Sequence, residues 1–287
     1  MNGDTMKTAL ITGATNGIGL YTAKKIAANN YTTIIHGRSQ DLLDQVCNDI
    51  IEDTGNENVL SVQADFSNLN EVRDMAAEIS NRYLSLDILV NNAGATFTER
   101  TENSNGNELT LTINYLAPFL LTNLLLPLLR KDATSTSHAR VINVSTLGNS
   151  DDAEVPNESS IYWKDMQTSE RYSLIKAYWI SKVLLNTFTF HLGDLEKDNY
   201  VNVNAVHPGT IITNMTKNIA SLGLIDDISQ LDDVAHGGDR LLHLVLSEEL
   251  EKTTGQFFTN KQKELNNDNP DVKSRKRLWQ VTKELIS

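Results

Sequence analysis

The sequence predicts an α/β fold: a doubly wound, mostly parallel β-sheet with helices on both faces. The first observation is that short apolar segments typical of strands alternate with helical patterns along nearly all of the 287 residues. Such alternation indicates parallel strands joined by right-handed crossovers, with helices covering both faces of the sheet. The second observation is that no internal repeat or low-complexity linker interrupts the pattern. Residues 1–287 are therefore predicted to form a single domain.

The predicted elements follow one another in a regular order. Each strand is a short apolar run, and each helix is a longer segment with apolar residues on one face. Strands are predicted at residues 8–12, 32–35, 58–62, 87–90, 140–145, 200–206 and 255–258. Helices are predicted at residues 17–29, 42–53, 71–83, 112–129, 178–192 and 231–246. A polar insertion at about 149–171 and a segment at about 215–229 fall between these elements.

Composition and charge exclude several classes of protein. The net charge of −12 argues against nonspecific binding to nucleic acid or to an anionic membrane. Cys47 is the only cysteine, which excludes an internal disulfide and a cysteine-cluster metal site, and the six histidines show no metal-ligand spacing. The chain starts without an apolar signal region, and its longest apolar run, residues 116–129, is interrupted and too short to span a bilayer. We expect a cytoplasmic protein without a metal, nucleic-acid or membrane partner.

A glycine-rich turn, Thr12-Gly-Ala-Thr-Asn-Gly-Ile-Gly19, joins the first predicted strand to the first helix. Glycines let backbone N–H groups approach a pyrophosphate, and the N-terminus of the helix adds a partial positive charge. The turn therefore indicates a nucleotide site, the alternative being a tight strand–helix turn without a ligand. The candidate cofactor-binding residues of this turn are Gly13, Thr15, Asn16, Gly17, Ile18 and Gly19.

The end of the second strand carries the signal that separates the two nicotinamide cofactors. An acidic side chain there would accept hydrogen bonds from the adenosine ribose of NAD(H), whereas an arginine would pair with the 2′-phosphate of NADP(H). The chain reads His36-Gly-Arg38-Ser39, with no acidic residue. Arg38 and Ser39 therefore favour NADP(H) over NAD(H), the alternative being an ordinary surface arginine.

Further candidate cofactor contacts follow the third and fourth strands. Asp65, with Phe66 after it, is predicted to contact the adenine amino group. The small residues of the next such segment permit close approach of the adenosine, or they form a turn that stabilises the central sheet, and both roles are compatible. The candidate residues of that segment are Asn91, Asn92, Ala93 and Gly94.

Tyr178 and Lys182 are four residues apart, about one helical turn, so their side chains project from one face of a helix. A phenol beside an ammonium is an acid–base pair. We expect the positive charge to lower the pKa of the tyrosine from about 10 toward neutral pH. Tyr172 and Lys176 have the same spacing. The first pair is preferred because the long apolar helix continues from it.

Taken together, these segments resemble the short-chain dehydrogenase/reductase family, and within it the branch of the retinol dehydrogenases and carbonyl reductases. The resemblance covers the chain from Thr12 to about Phe258. The matching motifs are Thr12-Gly-x-x-x-Gly-x-Gly19, Asn91-Asn-Ala-Gly94, Asn114, Asn143-Val-Ser-Thr146, Tyr178-x-x-x-Lys182 and Pro208-Gly209. The features of the branch are Gly106-Asn-Glu-Leu, Asn114-Tyr-Leu-Ala-Pro-Phe, His207-Pro-Gly and Arg277-Leu-Trp279.

The resemblance implies a Rossmann-like fold and a role for each motif. Tyr178 would exchange a proton with the substrate oxygen, and Lys182 would also hold the nicotinamide ribose. Thr146 would donate a hydrogen bond to the carbonyl oxygen, with Ser145 as the alternative hydroxyl. Asn114 would fix a water that relays protons to Lys182, or it marks a kink in its helix. The segment predicted to meet the nicotinamide carboxamide includes Pro208, Gly209, Ile211 and Thr213.

The resulting expectation is an NADP(H)-dependent oxidoreductase that transfers a hydride between nicotinamide and a carbonyl or alcohol. Apolar residues in the two irregular segments, Ile161, Trp163, Leu222 and Leu224, indicate a fairly hydrophobic ketone or aldehyde. The alternative is a binding protein that senses NADP(H) without turnover. The resemblance also implies a homodimer formed through the helices at 112–129 and 178–192, a surface that the chain after residue 255 could cover.

Overall fold

A computed structural model describes residues 6–146, 163–223, 227, 229, 231–259, 262–263 and 270–287. Ile161, Leu224 and residues 149–162 of the polar insertion, on which the substrate expectation partly rests, lie outside this set. The described residues confirm the predicted α/β fold, because strands alternate with helices around one sheet.

The sheet has eight strands in the order β3-β2-β1-β4-β5-β6-β7-β8. The strands are β1 (Thr8–Ile11), β2 (Thr32–Gly37), β3 (Val59–Gln63), β4 (Ile88–Asn91), β5 (Ala139–Val144), β6 (Val201–His207), β7 (Gln256–Thr259) and β8 (Gln262–Lys263). Strands β1 to β7 pair in parallel, and β8 adds an antiparallel edge to β7. The strand order reverses between β1 and β4, and this reversal opens a crevice at the carboxyl ends of the two strands.

Helices cover both faces of the sheet. They are α1 (Gly17–Ala28), α2 (Gln40–Thr54), α3 (Leu69–Arg82), α4 (Leu109–Leu111), α5 (Ala117–Lys131), α6 (Leu174–Glu196), α7 (Asn214–Ser221), α8 (Val234–Leu246) and α9 (Val272–Leu285). The side chains of α1, α2 and α8 form one buried apolar cluster with the sheet, and those of α3, α5 and α6 form another. Because both faces are covered, every position of β1 and β5 is buried.

The predicted boundaries were wrong at two functionally relevant places. Helix α6 begins at Leu174, not at residue 178, because the Ser173 hydroxyl caps it by accepting from the Lys176 N–H at 3.1 Å. Tyr178 therefore lies inside the helix, where its backbone is fixed. Helix α8 begins at Val234, because Asp233 accepts from the backbone N–H of His236 at 2.8 Å. The short strand β8 and helices α7 and α9 were not predicted.

The residues from Leu109 to Lys131 form one continuous 23-residue helical run, in which a π-helical segment, Thr112–Leu116, joins α4 to α5. By length and composition this run could cross a membrane, so the expectation that it is too short was wrong. Neither Pro118 nor Pro127 ends it. However, 83% of its most apolar window is buried inside the protein, as in a core helix.

Helix α9 packs against α5 and α6. The ring of Trp279 lies 4.9 Å from that of Phe119 and 5.3 Å from that of His191, measured between centroids. The hydroxyls of Tyr115 and Thr282 share a buried hydrogen bond of 2.5 Å. The C-terminal helix therefore covers part of the surface through which the homodimer was expected to form, and that homodimer stays a prediction.

Candidate active site

The predicted site residues follow the carboxyl ends of β1 to β6, so the fold brings separate motifs to one edge of the sheet. The glycine-rich turn lies after β1, and the segment with Tyr178 and Lys182 enters from α6. A Cβ atom added to Gly17 would meet Thr213 Cγ2 at 3.8 Å and nothing closer. The glycine-rich turn and the segment predicted to hold the nicotinamide therefore face each other.

The glycine-rich turn has the features of an anion site. A Cβ on Gly13 would lie 2.8 Å from the Cα of Ala93, so glycine is required for this close approach. Helix α1 starts after Asn16, whose side chain makes no capping hydrogen bond, whereas Ser39 caps α2 and Asn68 caps α3. The first N–H groups of α1 therefore have no side-chain partner at the cap and suit a pyrophosphate.

His36, at the end of β2, supports this turn in a way that the sequence did not reveal. Its buried ring accepts from the Gly13 N–H through Nδ1 at 3.2 Å and reaches the Ala64 carbonyl oxygen through Nε2 at 3.0 Å. The ring also stacks on Phe66 with 4.2 Å between centroids. Burial lowers the pKa of His36 to about 4, so the ring is neutral at pH 7 and carries its proton on Nε2.

The residues predicted to recognise the adenosine end lie beside this turn. Arg38 and Ser39 are exposed, and the Ser39 hydroxyl accepts from the Leu42 N–H at the start of α2. The backbone carbonyl of Arg38 accepts from Gln63 Nε2 at 2.9 Å, which fixes the main chain at this position. The Asp65 carboxylate closes a local turn by accepting from the Ser67 N–H at 2.9 Å.

The segment after β4 stabilises the sheet, as its alternative role predicted. The amide of Asn92 donates to the carbonyl oxygens of Thr12 and Gly13 at 2.9 and 3.0 Å. The backbone N–H groups of Asn92 and Ala93 both donate to the Thr12 hydroxyl at 3.0 Å. Asn91 is buried and donates to Asn143 at 2.8 Å. Gly94, the last residue of the segment, is exposed.

Tyr178 and Lys182 meet on α6, but their electrostatics differ from expectation. Lys182 Nζ lies 5.7 Å from the centroid of the Tyr178 ring and donates to the Val144 carbonyl oxygen at 2.8 Å. Burial raises the pKa of Tyr178 to about 12 and lowers the pKa of Lys182 to about 8. The predicted lowering of the tyrosine pKa was therefore wrong. Removal from water outweighs attraction to an ammonium that bonds elsewhere.

Asn114 connects three parts of the site. It lies in the π-helical segment, which supports the interpretation as an irregular point of its helix. Its side chain accepts from the Ala95 N–H at 2.8 Å and donates to the Ala95 carbonyl at 3.0 Å and to the Ser181 hydroxyl at 3.1 Å. Ser181 in turn donates to the Tyr178 carbonyl at 2.7 Å. Asn114 thus fixes the loop after β4 to the helix that carries Tyr178.

The two candidate hydroxyls after β5 have different surroundings. Ser145 donates to the backbone carbonyl of Lys182 at 3.4 Å, so its hydroxyl faces the main chain of α6. The carbonyl oxygen of Thr146 accepts from Asn186 Nδ2 at 3.1 Å. Asn186 was not predicted, although it follows Lys182 by four residues and so shares its helix face. Ser145 thus has a partner in the main chain of α6, and Asn186 fixes the backbone that carries Thr146.

The competing pair, Tyr172 and Lys176, is engaged elsewhere. The Tyr172 hydroxyl donates to the Phe97 carbonyl at 2.7 Å, and burial raises the pKa of Tyr172. Lys176 Nζ lies 3.5 Å from the buried carboxylate of Asp165. Tyr172 therefore has the structural role that was its alternative.

The segment after β6 carries the last predicted residues. The Pro208 carbonyl accepts from Arg240 Nη1 at 2.6 Å, and Ile211 is buried. The Thr213 hydroxyl caps α7 by accepting from the Thr216 N–H at 3.3 Å. Neither α7 nor Arg240 could be assigned a role from the sequence, because both act through contacts with distant segments.

Comparison with known proteins agrees with this arrangement. The profile of the short chain dehydrogenase family matches residues 7–157. The chain is 31% identical to mouse retinol dehydrogenase 12 over 283 residues, which cover 98% of this chain and 86% of the relative. It is 33% identical to human polyprenol dehydrogenase over 215 residues, 74% of this chain and 63% of the relative.

Among solved structures, the Pseudomonas aeruginosa RhlG/NADP active-site complex superposes with a TM-score of 0.67 at 23% identity. The match covers 88% of this chain and 94% of that structure. At this identity the likeness shows a shared fold.

Proposed function

The chain belongs to the short-chain dehydrogenase/reductase family, in the branch of the retinol dehydrogenases, and is an oxidoreductase acting on CH–OH or C=O groups; on this basis we propose that it is an NADP(H)-dependent reductase of a fairly hydrophobic aldehyde or ketone. The observation that carries the proposal is the arrangement of α6, which presents Tyr178 and Lys182 beside the end of β5 and is fixed there through Asn114.

The preference for NADP(H) rests on the end of β2. Arg38 is exposed at the start of α2, where the 2′-phosphate of the adenosine would lie, and no acidic side chain occupies residues 36–39. The RhlG structure, which shares this fold, is a complex with NADP. The backbone of Arg38 is held by Gln63, so the guanidinium extends from a fixed point.

The proposed reduction uses the proton of Tyr178. Because burial raises its pKa to about 12, the phenol is protonated at neutral pH, as reduction requires. A nicotinamide held at the end of β6 would supply the hydride for the carbonyl carbon. Tyr178 donates its proton to the carbonyl oxygen while the Thr146 hydroxyl hydrogen-bonds the same oxygen. The ammonium of Lys182 stabilises the phenolate that remains.

The proposed substrate class rests on the relatives and on the described part of the two irregular segments. The relatives are named for retinol and polyprenol, both apolar alcohols. Leu222, at the end of α7, is exposed. Trp163 packs under the Arg277 guanidinium at 4.1 Å and contributes to the contact with α9, so Leu222 is the described residue that supports an apolar substrate. The choice of reduction over oxidation rests on the proposed preference for NADP(H), which favours reduction.

The test measures loss of NADPH absorbance with a panel of carbonyl compounds that includes retinal and short polar aldehydes. We expect turnover of apolar carbonyls with NADPH and weaker activity with NADH. Tyr178→Phe should abolish turnover and retain NADPH binding, whereas Tyr172→Phe should remain active. Tight NADPH binding with no turnover across the panel would instead support the alternative, a binding protein that senses NADP(H) without turnover.

A further inference from the structure

We propose that Arg240 is a positioning residue that joins the nicotinamide segment, residues 208–213, to Asp232, to which the chain returns after the irregular segment at about 215–229. This proposal rests on the proposed function in one respect, namely that residues 208–213 contact the nicotinamide end of the cofactor. The contacts themselves are properties of the fold.

The guanidinium of Arg240 makes two separate polar contacts. Its Nη1 donates to the Pro208 carbonyl at 2.6 Å, and its Nη2 lies 3.1 Å from Asp232 Oδ2. Only 16% of the Arg240 side chain is exposed, compared with 41% for Asp232. A shielded guanidinium with fixed donors holds two acceptors in a defined geometry, which a flexible surface ion pair does not.

The backbone makes the same connection beside this ion pair. Ile211 and Asp232 form a parallel bridge. The Ile212 N–H donates to the Asp232 carbonyl at 3.0 Å, and the Asp232 N–H donates to the Thr210 carbonyl at 3.1 Å. The chain that leaves at residue 213 therefore returns at residue 232 to the point from which it left. Arg240 holds both sides of this point at once.

Gly209 shows that the segment and the guanidinium fit each other closely. Its φ of 100° is in the left-handed region that favours glycine. A Cβ at this position would overlap Arg240 Nη1 and lie 2.8 Å from Asp232 Oδ2. The guanidinium thus fills the space that a side chain at 209 would need, and it contacts the backbone that faces the cofactor cleft.

Helix α8, which carries Arg240, is itself held against the cofactor site. A Cβ on Gly237 would lie 2.9 Å from Ile211 Cγ1 and 3.2 Å from Ile18 Cδ1. Tyr21, one turn further along α1, donates its hydroxyl to Asp239 at 2.9 Å. Helix α8 therefore contacts both the pyrophosphate helix and the nicotinamide segment. Arg240 therefore extends from a helix that is fixed both to α1 and to the nicotinamide segment.

The test compares Arg240→Met, Asp232→Asn and the double variant with wild type. Loss of the shielded contacts is expected to weaken NADPH binding about tenfold and to raise KM for the carbonyl substrate, with kcat changed less than about threefold. The double variant should bind NADPH no more weakly than Arg240→Met does, because Arg240 and Asp232 act through one contact. Arg82→Met, which removes an exposed arginine on α3 paired with Glu78, is the control.

A general structural role would lower the melting temperature without this division between KM and kcat. The proposal is overturned if Arg240→Met binds NADPH and substrate as wild type does, or if kcat alone falls. Hydrogen exchange separates a failure of the proposed role of Arg240 from a failure of the proposed function. If wild type binds no NADPH, the proposed function fails. The joining role of Arg240 then stands only if Arg240→Met loses amide protection at Ile212 and Asp232, whose N–H groups make the backbone hydrogen bonds of this connection.

Discussion

The imidazole of His36 accepts a hydrogen bond from the backbone N–H of Gly13 at 3.2 Å and thereby joins the end of β2 to the glycine-rich turn. Its other nitrogen bonds to Ala64, beyond the end of β3. One neutral ring therefore fixes the relative positions of three strand ends that carry predicted contacts to the adenosine of the cofactor.

His36→Ala is expected to weaken NADPH binding about fivefold, because one hydrogen bond that orients the turn, worth about 1 kcal/mol, is lost. Fluorescence titration with NADPH checks this. The control is His138→Ala, which removes a ring that bonds to Asn202 before β5 begins, at the opposite end of the sheet. An unchanged dissociation constant for His36→Ala would show that the turn holds its shape without the ring.

Selection between the cofactors should depend on Arg38. Arg38→Ala is expected to raise KM for NADPH at least tenfold while changing KM for NADH less than twofold, because a charge-assisted contact to the 2′-phosphate is removed. Steady-state kinetics with both cofactors measure this. Lys24→Ala, which removes a half-buried cation paired with Asp53, should change neither value. Equal losses with both cofactors would contradict the assignment.

The two hydroxyls after β5 should be unequal. Thr146→Ala is expected to lower kcat about a hundredfold through loss of a hydrogen bond to the developing oxyanion, and Thr146→Ser should recover most of the activity. Ser145→Ala should lower kcat far less, because that hydroxyl donates to the Lys182 carbonyl. The reverse ranking in a kcat comparison would make Ser145 the catalytic hydroxyl.

The buried ammonium of Lys182 predicts a pH dependence of stability. Burial lowers the pKa of Lys182 from 10.5 to about 8, so the unfolded chain binds the proton more tightly than the folded one. The resulting destabilisation is fully present below about pH 8 and disappears as the pH rises toward about 10. Above that range the raised pKa of Tyr178 acts in the opposite direction.

Urea unfolding between about pH 8 and pH 10 tests this dependence. Wild type should gain stability relative to Lys182→Met across that range. Lys24→Met, at a half-buried surface position, should follow wild type. Parallel curves for wild type and Lys182→Met would show that the ammonium is better solvated than its burial indicates.

The contact between α9 and the core predicts a stability effect remote from the site. Trp279→Ala is expected to lower the free energy of unfolding by about 3 kcal/mol, because the ring packs on Phe119 and His191. Val272→Ala, on the same helix but 51% exposed, should change it by less than about 0.5 kcal/mol. Chemical denaturation gives both values. If the free energy of unfolding falls as little in Trp279→Ala as in Val272→Ala, α9 is only loosely attached.

The sequence was sufficient for features that depend on local pattern. The structure contains each of these features: the strand–helix alternation, the glycine-rich turn, and Tyr178 and Lys182 one turn apart on a helix. It was insufficient where a role depends on a distant partner. His36, Asn186 and Arg240 act through Gly13, Thr146 and Pro208, and these pairings become visible only when the strands lie side by side. Helix α9 was missed because its interior face is narrow, with Leu278 and Thr282 as its buried residues.

In the π-helical segment, two neighbouring residues form hydrogen bonds with different parts of the molecule. Asn114 bonds to the helix that carries Tyr178, and the next residue, Tyr115, bonds to Thr282 on the C-terminal helix. Deleting one residue from this wide turn would restore ordinary helical winding and leave one residue fewer to make these two contacts. Both attachments could not then be made together. The extra residue of the π-helical segment therefore allows one helical run to fix the helix that carries Tyr178 and also to bind the C-terminal helix.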